Sequence, residues 1–112
     1  MSGYVGPPVQ GDPVGMQRLA AELRLEADRA EGAAGSADHS VQTLHFEGPA
    51  GDRVRSESRT WAALVRRHCA ELRALADTLA RAAGQVDAAQ RDRARRLRES
   101  ERDARHRATL RR

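Results

Sequence analysis

Phe46-Glu47-Gly48-Pro49 stands between two long segments rich in alanine, leucine and arginine, and its reading decides the fold. Before it, apolar residues recur at a seven-residue interval at Met16, Leu23, Ala30, Ala37 and Leu44, with Leu19, Ala20, Ala27, Ala34 and Val41 alongside. That spacing is one face of a helix. After it, Val54, Trp61, His68, Leu75, Ala82 and Ala89 repeat at the same interval, flanked by Val65, Leu72, Leu79 and Val86. A second helix follows, with a stripe wide enough to leave some of its bulk uncovered by one neighbour. Gly48 turns the chain where a Cβ would clash, Pro49 suits the first turn of the new helix, and Asp52 sets a carboxylate near its positive end. The expected fold is all-α: an antiparallel two-helix hairpin, with helices over about 13–44 and 50–90 and a turn at 45–49.

The placement of Phe46-Glu47-Gly48, midway along the chain between two amphipathic arms, resembles the Trp-x-Gly turn of the WXG family, the small helical-hairpin proteins of type VII secretion. Phe46 takes the place of the tryptophan. Gly48-Pro49-Ala50 followed by Asp52-Arg53 is similar to the Gly-Pro-Ala-Ala-Asp-Arg run that often opens the second helix there, and the likeness spans roughly residues 13 to 90. The resemblance implies a secretion substrate, a co-secreted partner or a chaperone-like adaptor. It implies pairing with itself, with another WXG-like hairpin or with the helical leader of a larger secreted protein, and contact with the secretion machinery. Family members often carry Tyr-x-x-x-Asp/Glu near the end of the second helix. The corresponding stretch here is Val86-Asp87-Ala88-Ala89-Gln90, with neither signature residue at Val86 or Gln90. This departure predicts export only in the company of a partner that bears the signal.

Composition points to a thin core. Phe46, Trp61 and Tyr4 are the only aromatic residues, isoleucine is absent, and alanine dominates the seams. A lone two-helix hairpin buries too little to be comfortable at this size. A hairpin covers its stripes from one side only, so Trp61, Leu64 and Leu75 are expected to stay partly wet until a second hairpin closes a four-helix bundle. The predicted interface comprises Leu19, Leu23, Leu44, Val54, Trp61, Leu64, Val65, Leu72, Leu75 and Leu79. No stretch approaches the roughly 20 apolar residues that span a bilayer, and the amino terminus has neither a basic region nor an apolar core, so Sec-type export is not expected. The single cysteine, Cys69, forms no internal disulfide, so folding in the cytoplasm suits the chain, with type VII export afterwards.

Residues 1–12, rich in glycine and proline, are predicted to form a mobile arm carrying Tyr4 and Val5, with Asp12 as N-cap and Pro13 in the first turn of the first helix. Gly32 and Gly35 weaken that helix by about 1 kcal/mol each, and with their small neighbours they admit a close approach by another helix. At about 1.5 Å per residue the first helix covers the second only to about Ala82 or Val86. The remainder, residues 91–112, is a charged extension, helical or disordered, with ten arginines against four acids. The preceding residues hold ten arginines and twelve acids, so the pI of 10.8 describes the extension and not the hairpin. Asp92/Arg96, Glu101/Arg105 and Asp103/Arg107 are spaced for mutual support.

Chemistry-bearing residues are scattered. His39, His45, His68 and His106 share no ligand spacing on one face, so no metal and no cofactor is expected. His68 and Cys69 point about 100° apart on a helix, which disfavours a nucleophile and base pair. No catalytic residue is assigned and the chain reads as a non-enzyme. His68 is taken as a polar interruption of the seam, and Trp61 as an anchor on the stripe. The arginine-rich end reads first as a solvated or partner-docked helix, with nucleic acid not expected as a partner; the alternative to a secretion hairpin is a basic helical protein that binds the phosphate backbone of nucleic acid through that end. A third reading is an open-ended coiled-coil scaffold. An ordinary interhelical turn plugged by Phe46 accounts for the turn motif without any family.

Overall fold

The computed structural model describes residues 8–111, and Tyr4 and Val5 lie outside the described residues. Two helices make up the fold: α1 (Pro13–Thr43) and α2 (Gly48–Leu110). No strand occurs among the described residues. Cross-helix contacts run in opposite senses along the two elements. Gln17 Nε2 donates to the carbonyl of Ala80, Arg24 to Asp77, Arg73 to Asp28 and Glu31, and Gln42 to the carbonyl of Arg55. The pair is therefore an antiparallel hairpin, as the sequence pattern predicts.

Both helices carry a proline in their first two positions, where the missing N–H costs no hydrogen bond. Asp12 occupies the N-cap position of α1 without a side-chain capping hydrogen bond, and Asp52 lies beyond the first turn of α2, bonded to Arg55 at 2.8 Å. Gly32 and Gly35 do not break α1, which runs through them as one continuous helix. A Cβ at either would meet nothing within 4 Å, so neither glycine is the site of close approach. Packing of the flanking turns against α2 carries the helix through them.

On α1 the inner seam falls on the alanines predicted alongside the heptad line, and on α2 it is displaced by one position from the predicted line. On α1 the buried residues are Ala20, Ala27 and Ala34; on α2 they are Gly51, Ala62, Cys69, Ala76 and Ala83. The heptad interval is right, but small side chains hold the central line and Met16, Leu23, Val65, Leu72, Leu79 and Val86 lie half-buried beside it. Alanine at each level lets the two backbones approach closely, whereas leucine there would hold them apart. Bulk is consequently pushed outward. Trp61, Leu75 and Val54 retain 48%, 55% and 43% of their exposure, and His68 is exposed beside Glu71.

α2 does not end with its partner. It continues unbroken for 63 residues, about 94 Å at the usual rise, against 31 residues in α1. The molecule is a rod of 97 × 17 × 13 Å. The charged extension is thus helical to Leu110, its arginines lying toward the negative end of the helix dipole. Asp92 pairs with Arg96 at 2.9 Å and with Arg95, and Asp87 pairs with Arg91 at 3.1 Å. The predicted pairs Glu101/Arg105 and Asp103/Arg107 are not formed.

Candidate interaction surface

The turn is built by four residues. Thr43 is the last residue of α1, Leu44 is extended, and the Phe46 N–H donates to the Leu44 carbonyl at 3.1 Å. Gly48 then adopts φ +82°, a conformation that L side chains resist, although no neighbour would meet its Cβ. The steric demand falls instead on Gly51. A Cβ there would lie 2.6 Å from both the Cβ and the carbonyl oxygen of Phe46, so the chain folds back directly over this glycine. Arg55 donates to the same Phe46 carbonyl at 2.9 Å and is held by Asp52. Phe46 itself remains 47% exposed at the tip, only partly the plug the sequence suggests. Gly51 and Arg55 were not apparent as turn residues from the sequence; the glycine two positions after Pro49 was the signal.

Along the shaft the seam separates two edges of opposite character. One is polar and satisfied within the chain. Arg24 meets Asp77 at 2.8 Å and Arg73 spans Asp28 and Glu31, while Asp38 accepts from Gln42 at 3.0 Å and from Ser58 at 2.8 Å. The hydrogen bond from Gln42, reinforced by that from Ser58, holds the Asp38 carboxyl below the usual carboxylate range. The hydrogen bonds to Asp28 and then Glu31 raise the Arg73 guanidinium further above neutrality.

The other edge is apolar. Helical spacing from Ala27 and Cys69 places Leu19, Leu23, Ala30, Ala37 and Leu44 of α1 on the same side as Val54, Trp61, Val65, Leu72, Leu75 and Leu79 of α2. Leu19, Leu44, Trp61, Leu64 and Leu75 are each about half exposed there. Among the described residues no element of the chain covers this edge. Antiparallel packing brings like flanks together, so most of the large apolar residues gather on this side and the cross-helix ion pairs on the other, with exposed Glu26 and His68 as the polar positions of the apolar flank. By helical spacing the predicted interface residues fall on this flank, with those two polar residues among them and Leu64 at its outer margin.

Val86 and Gln90 are brought to a third place. The Gln90 side-chain amide donates to the carbonyls of Gly11, at 3.1 Å, and Val9, at 3.3 Å. Gly11 has φ +135°, and a Cβ on it would approach Val86 to 3.0 Å. The end of the amino-terminal arm therefore lies across α2 at Val86 and Gln90. Within the arm expected over 1–12, the carbonyls of Val9 and Gly11 are thus hydrogen-bonded to α2.

Among the described residues no group of three histidine, cysteine or acidic side chains is gathered to hold a metal ion, and Cys69 is buried in the seam. Among the described residues no helix is long and apolar enough to cross a membrane. The fold and surface define a helical hairpin with one unpartnered apolar edge. No family model matches the chain, and comparisons with curated proteins and with solved structures find no match.

Proposed function

We propose that this chain is a WXG-like adaptor of type VII secretion, a hairpin that works by pairing its apolar edge with a second hairpin, its own copy or a related chain. The observation that carries the reading is the sorting of the shaft. The polar edge is closed by the chain's own ion pairs, whereas Trp61, Leu64 and Leu75 stand about half exposed in one row. An apolar row of this length is covered in most folded proteins. A second hairpin set against it would complete a four-helix bundle and bury the aromatic anchor.

The secretion role is supported by the turn, where Phe46, Gly48 and Pro49 stand in the positions of the family motif and Gly48 has the conformation only glycine adopts easily. Val86 and Gln90 in place of the signal pair favour the member of a heterodimer that travels with its partner, or a chaperone-like adaptor that stays behind. The test is to follow the chain in culture supernatant of a host with a type VII system, expressed alone and together with a WXG-like hairpin that bears the Tyr-x-x-x-Asp/Glu signal and associates with it. Appearance outside the cell only with the partner supports the reading. Intracellular retention in both cases, together with no association on sedimentation, defeats it.

A further inference from the structure

Beyond the hairpin, α2 extends as a single helix whose arginines are not evenly spread. Arg91, Arg95, Arg98, Arg102 and Arg105 follow one another at alternating steps of four and three residues, the spacing that aligns side chains on one face. All five are exposed, and the row is about 21 Å long at the usual helical rise. The acids of this segment fall elsewhere: Asp92, Glu99 and Asp103 lie along one flank and Glu101 on the other. Asp87 sits at the head of the row, paired with Arg91, and Asp92 reaches Arg95 from the side. Arg98, Arg102 and Arg105 make no ion pair among the described residues.

We propose that this row is a docking strip for the phosphate backbone of duplex nucleic acid, a function separate from hairpin pairing. Three features choose the ligand class. The row itself carries no large apolar residue, and Leu97 and Leu110 lie apart on different flanks, each about 100° or more from its middle, so they form no shared apolar patch; a protein interface would need such a core and a membrane surface would need an apolar face to bury. Every cation is arginine, whose planar fork takes a phosphate through two hydrogen bonds. No aromatic residue follows Trp61, so the strip offers no platform on which single-stranded bases could stack. A rod of guanidinium groups matches a duplex, which carries a negative charge about every 1.7 Å of its axis, and reads no sequence.

The experiment is fluorescence anisotropy of a labelled 20-base-pair duplex of arbitrary sequence with the full-length chain, between 50 and 200 mM NaCl. Five phosphate contacts predict a log–log salt slope of about −4.5, a loss of roughly 500-fold over that range. Arg98→Gln, Arg102→Gln and Arg105→Gln together should flatten the slope to about −2 and weaken binding throughout. Arg96→Gln, Arg107→Gln and Arg111→Gln remove the same charge from the opposite face and should leave the slope within about one unit of the parent. Circular dichroism checks that both triple variants stay helical. Equal loss in the two variants would show diffuse charge attraction and overturn the strip. So would no binding at 50 mM NaCl, or equal affinity for polyglutamate or for phosphatidylglycerol vesicles. Because none of these readouts depends on a second hairpin, failure here leaves the pairing reading intact, and the reverse also holds.

Discussion

At Gly51 the chain has no space for a side chain, and this residue more than the motif glycine closes the hairpin tip. An added methyl would meet the Phe46 backbone carbonyl, which cannot move without shifting the turn. Gly51→Ala should therefore lower stability by about 1–3 kcal/mol in urea denaturation at fixed protein concentration. Gly48→Ala meets no neighbour and is expected to lose about 1–2 kcal/mol through its positive φ alone. Gly32→Ala should go the other way, by up to about 1 kcal/mol, because its site is an open helix interior. Gly48 was legible because Gly-Pro after an aromatic residue is a turn signal on its own. Gly51 was not, since its role comes from where Phe46 is carried by the fold.

Between the elements, the heptad interval was readable in both helices, whereas the phase of α2 was not. Large apolar residues mark a helical face in any sequence scan, yet here they line the flank while Ala20, Ala27, Ala34, Ala62, Cys69, Ala76 and Ala83 make the contact. Which of two adjacent positions faces inward is decided by how closely the backbones can approach, and that is a property of the pair. Ala76→Leu, at a fully buried level, should cost about 1–3 kcal/mol by levering the helices apart. Leu75→Ala, one residue along, should leave the hairpin's own unfolding little changed and weaken association instead. The pattern of losses in denaturation and sedimentation distinguishes seam from edge; the reverse pattern would restore the phase read from the large residues. The polar edge carries a pH signature. Asp38 is held below its ordinary pKa by Gln42 and Ser58, so its contribution is fully present above the unfolded carboxylate value and is lost as pH falls below about 4 through the folded value. Melting temperatures between pH 6 and pH 2 should show this acid loss, and Asp38→Asn should remove that part of the slope.

For the whole molecule, shape and stability pull in different directions. A rod 97 Å long and only 17 × 13 Å across exposes much of what it builds, and its fully buried side chains are no larger than cysteine. Alanine and cysteine release little hydrophobic free energy on burial, so the half-exposed leucines and Trp61 hold most of the apolar surface still available to stabilise the fold. Covering them is the largest step open to this chain. Trp61 is the sole tryptophan and sits 48% exposed on the edge, so its emission reports that step directly. With rising protein concentration the emission should shift to shorter wavelength, the scattering cross-section should grow beyond that of one hairpin, and the melting temperature should climb. Trp61→Ala should weaken association by about 2 kcal/mol, roughly thirtyfold in Kd. Emission, cross-section and melting temperature that stay constant from nanomolar to high micromolar concentration would mean that the edge is stable in water. The thin seam would then have to hold the hairpin unaided.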